Sequence, residues 1–336
     1  MSTGSQSPFS MTSGSGPRAR PGRSHDRTQS LDRVGDVLFR GLCALAALLA
    51  VVLIAAIAYQ LFSGASPAIS RFGLGFLVHE VWQPNFENLG AATFLYGTAV
   101  TCLTTMALAV PLGVSIGLFL STVASGRVRA VIGPLVEMLA AIPTVILGFW
   151  GILVLGPFLS SHVEPFLHNT LGFLPIFGAP ATTGAGLFTA SLILTIMVVP
   201  IIAAITRDLC LTVPGELRDG ATALGATRWE VMRGVILPST ASGVVAASFL
   251  GLGRALGEAI ATSQVLGAGN FIHSSLFETG DTLASRIAGQ VQGAPFKLQH
   301  ASLFYLGAIL LVLGLLANVS ARMIVRRFNV HLLATR

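Results

Sequence analysis

Six apolar runs, each long enough to cross a hydrocarbon layer about 30 Å thick at about 1.5 Å per helical residue, dominate this sequence. They cover residues 36–62, 93–120, 131–158, 183–206, 239–268 and 301–325. Runs of this length cannot all be buried inside a water-soluble domain of 336 residues. Only 10% of the residues are charged and mean hydropathy is +0.78, against roughly 25% charged in ordinary soluble domains. In lipid each backbone polar group must be satisfied within the segment, so the fold class is all-α with six transmembrane helices.

Residues 1–34 are rich in Ser, Gly, Pro and Arg and poor in large apolar side chains, the composition of a disordered tail. The first run is too long for a signal-peptide core and no small-x-small cleavage site follows it, so it is read as a retained span. The organisation expected is therefore a tail over 1–34, one membrane domain over 35–327 and a short tail over 328–336.

Basic residues set the orientation. Six arginines precede or open the first run. Arg127 and Arg129 lie in the second loop, Arg207, Arg218, Arg228 and Arg233 in the fourth, and Arg322, Arg326, Arg327 and Arg336 at the C-terminus. The opposite side holds Arg71, Arg286 and Lys297. Both termini are expected in the cytoplasm of a multi-pass plasma (inner) membrane protein. Lys297 is the only lysine and the arginines are scattered, which argues against a nucleic-acid surface. Cys43, Cys102 and Cys210 form no paired framework, and Pro111, Pro143 and Pro200 fall inside runs, where each is expected to bend its helix.

The fourth loop, Arg207 to Thr240, has helical chemistry of its own. Pro214 suits a first turn, Leu217, Ala221 and Leu224 recur at helical spacing, and Gly225 is a natural stop. Thr227 and Glu230 then form a T-x-x-E capping box for a second helix striped by Trp229, Met232 and Ile236. Two short helices meeting at a glycine, with an aromatic anchor, make a docking knob.

The spacing Asp219-Gly220-Ala221, three residues, Gly225, nine residues, Val235-Ile236-Leu237-Pro238 resembles the "EAA" loop of ABC importer permeases, written E-A-A-x3-G-x9-I-x-L-P. Asp219 stands for the usual Glu, Gly220 for the first Ala and Val235 for Ile. The segments "PLVEMLAAIPTVILGFWG" and "GRALGEAIATSQVLGAGN" are similar to those of PstC-type permeases of the phosphate importer, with the PstA-type sister permease as the alternative. The resemblance implies a MetI-like ABC type I permease fold over about residues 36–327. It implies ATPase coupling through Asp219, Gly220, Ala221, Gly225, Trp229 and Pro238. It also implies a second permease (PstA-like), an ATPase homodimer (PstB-like) carrying the ATP and Mg, and an external phosphate-binding protein (PstS-like), with no cofactor in this chain.

Arg254 and Glu258 interrupt the fifth run. In one continuous helix they lie a turn apart and can pair. A charge at mid-bilayer costs about 2.5–3.5 kcal/mol on insertion scales, so the two are kept either as a packing lock or as part of a polar pathway. The planar guanidinium fork matches phosphate oxygens, and the resemblance implies that this Arg and Glu act in phosphate passage. Glu137, near the start of its run, is read as structural. The sole lysine sits outside any G-x4-G-K-[ST] loop, and the seven histidines fall outside the six runs, so neither ATP hydrolysis nor an intramembrane zinc or Ser-His site is expected here. A secondary anion carrier shares the need for Arg254 and Glu258 but not for the knob. The topology predicts that a cysteine at position 273 is labelled by impermeant thiol reagent from outside the cell; labelling only from the cytoplasm overturns it.

Overall fold

The structure, a computed structural model, describes the backbone of residues 25–334 and the side chains of 36–326. The chain divides at Ile57 into two units. The helix α1 (His25–Phe72) begins ten residues before the end of the expected tail and extends past Ile57; within the first unit its side chains from Asp36 onward are exposed. Residues 1–24 of that tail lie outside the described residues.

The second unit, from Ala58, carries the other elements. A β-hairpin (Trp82–Gln83 with Asn88–Leu89, Trp82 opposite Leu89) precedes α2, Ala92–Val123. Then come α3 (Gly126–Ala140), α4 (Thr144–Leu171) and α5 (Leu187–Thr212). The fourth loop is α6 (Gly215–Ala223), followed by α7 (Arg228–Gly257) and α8 (Ile260–Val265). A short helix α9 (Leu283–Gln290) leads to α10, Lys297–Ala334, which continues through the expected C-terminal tail to the last described residues. Among the described residues six helical segments are long and apolar enough to cross a membrane.

Two expected spans are broken. The run 131–158 is not one helix: it parts at Ala141–Pro143 into α3 and α4. Pro143 has no N–H to continue the ladder, and its ring pushes Ile142 away from helical geometry. Pro111 and Pro200 by contrast lie inside uninterrupted helices. The run 239–268 parts at Glu258–Ala259 into α7 and α8. Because α4 and α10 extend beyond the runs, His162, His168 and His300 fall within helices rather than in loops.

Small residues decide which helices touch. A Cβ on Gly113 of α2 would fall 2.8 Å from Ile202 Cβ of α5, and one on Gly117 would fall 2.7 Å from Thr206 Cβ and 2.8 Å from the Ala203 carbonyl. The α2–α5 pair is thus backbone on backbone, the packing that substitutes for a hydrophobic drive inside lipid. Buried hydroxyls line the same seam, and Thr105 donates to the Ser191 carbonyl across it at 3.2 Å. Gly251 of α7 would place a Cβ 2.7 Å from Val198 Cγ1, so α7 joins the pair on its Ala247, Gly251, Ala255 side.

Glu137 of α3 accepts from Arg207 Nη1 of α5 at 2.7 Å, and Arg207 also pairs with Asp208 at 2.9 Å. The carboxylate read as structural therefore ties α3 to α5. Gly117→Leu is expected to cost about 1–3 kcal/mol through overpacking against α5, read as a lowered thermal midpoint of the detergent-purified protein, whereas Gly126→Ala, in open space, leaves the midpoint unchanged.

Candidate functional site

The helical path of the fifth span ends one residue before Glu258. This residue is extended (φ −75°, ψ 114°), and its side chain turns onto α8: Oε1 accepts from the Ala261 N–H at 3.3 Å, while its carbonyl accepts from Thr262 Oγ1 at 2.8 Å. Glu258 is 9% exposed. The same-face pairing of Arg254 with Glu258 expected from a continuous helix is thus absent. The break rotates one partner off the other's face, and the carboxylate is occupied as the cap of the next segment.

Arg254 is exposed and forms no ion pair among the described residues. It lies on a strip of α7, Ala246, Leu250, Gly253, Arg254 and Gly257, that is open throughout. Cβ atoms on Gly253 and Gly257 would meet nothing within 4 Å. This strip carries a permanent cation with no internal counter-charge, flanked by glycines that leave its approach clear. Chemically it can receive an anion or a second apolar helix, and the two are compatible side by side.

The knob forms as its residues dictate, with one difference. Gly225 takes a left-handed φ of +89°, which only glycine adopts without strain. It closes α6 with Ala226 N–H to the Ala221 carbonyl (3.1 Å) and Gly225 N–H to the Thr222 carbonyl (3.0 Å), a Schellman arrangement. The Thr227–Glu230 capping box is complete. The helix it starts is not a separate short one: it passes through a wider π turn at Met232–Ile236 and becomes the fifth span. Asp219 and Gly220 are exposed, Ala221 is half-buried, and Pro238 sits in the first turn beyond the π turn. Leu217, Leu224 and Trp229 are 52%, 91% and 61% exposed. Trp229 also borders a groove of about 540 Å³ against Pro111, Val114, Leu118 and Phe119 of α2.

A second charged cluster lies at the opposite end, between α8 and α9. Arg286 Nε is 2.8 Å from Asp281 Oδ2, with side chains 5% and 8% exposed. The contact is an ion pair rather than a directed hydrogen bond, since Nε has no hydrogen-bond partner of good geometry. Arg286 Nη2 donates to Asn270 Oδ1, and the guanidinium lies 4.5 Å from the Phe94 ring centroid and 6.0 Å from that of Trp82. Ser285 donates to Asp281, which also accepts from the Thr282 N–H at 3.0 Å. Burial pushes the Asp281 carboxyl up and the Arg286 guanidinium down, and their mutual attraction opposes both shifts. Sequence reading assigns Arg286 only to a topology count, because no short motif links residues 270, 281 and 286. Glu164, a buried carboxylate within α4, accepts from the Ala181 N–H at 2.8 Å and pins the loop after that helix.

These features match a known architecture. The model of the family described as "binding-protein-dependent transport system inner membrane component" covers residues 109–330. The protein named "Phosphate transport system permease protein PstC" from Mesorhizobium japonicum is 39% identical over 310 residues, covering 91% of this chain and 94% of that one. The chain belongs to this permease family. Among solved structures, a bacterial alginate ABC transporter, in complex with an alginate pentasaccharide-bound periplasmic protein, aligns with TM-score 0.57 at 18% identity, over 87% of this chain and 97% of that one. The inward-facing methionine transporter MetNI aligns with TM-score 0.50 at 22% identity, over 70% and 96%. The permease therefore has the MetI-like fold of ABC importers and is a multi-pass membrane component of such an importer, with an ATPase and a binding protein as its partners.

Because Arg254 and Glu258 form no ion pair or hydrogen bond with each other in this permease, Arg254→Gln and Glu258→Gln should act additively on thermal stability within about 0.5 kcal/mol. A double-mutant cycle on the purified protein measures this; a coupling above about 1 kcal/mol means that the two side chains pair in the resting state.

Proposed function

We propose that the chain is the PstC-type permease of a phosphate importer and that Arg254 is the residue on which the anion is handed across the membrane. The observation that carries this reading is the open strip of α7, where a guanidinium stands exposed, without a carboxylate partner, among glycines. A guanidinium stays charged at any physiological pH and offers a bidentate fork to tetrahedral oxyanions. The name of the relative supplies the anion: inorganic phosphate. One guanidinium neutralises only part of a phosphate dianion, so the strip faces a like residue on a second, PstA-like permease, which also covers Leu250. The site binds weakly, since a deep well traps the ion.

The knob is the ATPase contact. Asp219, Gly220, Ala221, Gly225, Trp229 and Pro238 form or support its exposed surface, where a PstB-like homodimer binds and hydrolyses ATP with Mg; this chain carries no nucleotide chemistry. Both termini and the knob face the cytoplasm, and a PstS-like protein delivers phosphate to the outer loops. The family membership of the chain and the exposed Leu217, Leu224 and Trp229 support this assignment.

The test is labelled-phosphate uptake in cells lacking other phosphate importers, normalised to membrane abundance. Arg254→Gln should reduce uptake at least about 100-fold, and Arg254→Lys, which keeps charge but loses the fork, at least about 10-fold. Wild-type uptake by a well-expressed Arg254→Gln protein makes the arginine a packing residue and ends this reading.

A further inference from the structure

The break at Glu258 needs a cause outside its own sequence. The residues around it, Arg254-Ala255-Leu256-Gly257-Glu258-Ala259-Ile260-Ala261, contain one glycine and no proline, and their composition favours a continuous helix. Leaving the helix there forfeits ladder hydrogen bonds, so the freed backbone groups must find other partners. Something must hold α8 off the axis of α7.

The hydrogen bonds identify the holder. At the C-terminal end of α8 the Leu266 carbonyl accepts from the Gly280 N–H at 3.0 Å, and the Gly280 carbonyl accepts from the Gly269 N–H at 3.0 Å. The Val265 carbonyl accepts from the Gly186 N–H at the head of α5 at 2.9 Å. Residues 266–270 thus run back to back with 279–281 as a two-stranded strap fixed to the end of α8. Arg286 crosses this strap. Its guanidinium pairs with Asp281 on the returning strand and donates to Asn270 on the outgoing one, while Phe94 and Trp82 close over it. The strap in turn sits on α2: a Cβ on Gly97 would fall 2.0 Å from the Asp281 carbonyl, and the Leu283 N–H donates to Thr98 Oγ1 at 3.0 Å. Ala268, a residue with a Cβ, is held at a left-handed φ of 56°, a strain that survives only where surrounding contacts over-determine the backbone.

We propose that Asp281 and Arg286 are positioning residues for the transport pathway: they staple the strap that holds α8 apart from α7 and so fix where the Glu258 carboxylate lies relative to Arg254. Without the staple α8 falls into line with α7, Glu258 returns to one turn from Arg254, and the pair neutralises the cation that the anion requires. This rests on Arg254 and Glu258 being pathway residues, but the position of α8 is measured without reference to transport.

The experiment uses the complete importer in nanodiscs, with Cys43, Cys102 and Cys210 replaced by Ser and spin labels at Ser239→Cys and Ser263→Cys, two exposed positions on either side of the break and outside the strip that carries Arg254. In an unbroken helix these positions are about 36 Å apart along the axis. Arg286→Gln and the isosteric Asp281→Asn should shift the distance distribution toward that value and lower phosphate uptake at least about 10-fold at equal abundance. Arg286→Lys, which keeps the ion pair, should retain the wild-type distribution and most of the uptake. Asn270→Ala removes one arm only and gives a milder shift, which serves if the charge variants fail to assemble. A purely stabilising cluster lowers abundance or thermal midpoint in these variants and leaves the distances where they are. Distances that stay at the wild-type value in Asp281→Asn or Arg286→Gln, or in Asn270→Ala where those two do not assemble, overturn the proposal. Normal uptake by Arg254→Gln with shifted distances in Arg286→Gln instead removes the pathway reading and leaves the staple standing.

Discussion

Inside a bilayer an unpaired peptide group costs several kcal/mol, so each place where a membrane helix stops short must be paid for by a specific neighbour. This permease breaks two of its apolar runs, at Ala141–Pro143 and at Glu258–Ala259, and the helices that follow those breaks, α4 and α8, lie against each other. Gly148 of α4 is so close to α8 that a Cβ would fall 2.0 Å from Gln264 Oε1 and 3.0 Å from Ala261 Cα. Each interrupted segment is thus shielded by the other, while the uninterrupted α2–α5 pair forms the wall behind them. The exposed arginine, the capped glutamate and the strap all follow from this arrangement.

Most of the frame was legible because its signals are one-dimensional. Apolar length marks the crossing helices, and the T-x-x-E box with Gly225 marks the knob, since capping and left-handed stops depend on neighbours within a few residues. The break after Gly257 was not legible for the converse reason. Nothing between residues 254 and 261 forbids a helix, and the anchors that pull α8 aside come from residues 186, 280 and 286, which are remote in sequence. Pro143 did give a local signal, but a proline inside an apolar run is carried within one helix and ends another. Pro111 and Pro200 lie inside uninterrupted helices, whereas α3 ends just before Pro143 and α4 starts just after it.

The two charged sites divide the electrostatic work differently. Asp281 and Arg286 are buried and paired with each other, the guanidinium against the Phe94 and Trp82 rings, so removing either charge strands the other away from water. Arg254 has the reverse situation, with a charge kept accessible and its nearest carboxylate in sequence engaged by backbone N–H instead. A buried pair suits a part that must not move, and an unpartnered surface cation suits one whose counter-charge comes and goes.

The continuity of the knob with the fifth span has a mechanical meaning. From Arg228 to Gly257 the chain is one rod of 30 residues, whose base carries Trp229 and whose far end carries Arg254. At about 1.5 Å per residue the rod is about 45 Å long, so a tilt of about 5° at its base displaces the far end by about 4 Å. That is more than the length of a hydrogen bond to an oxyanion, and it needs no hinge between the two ends.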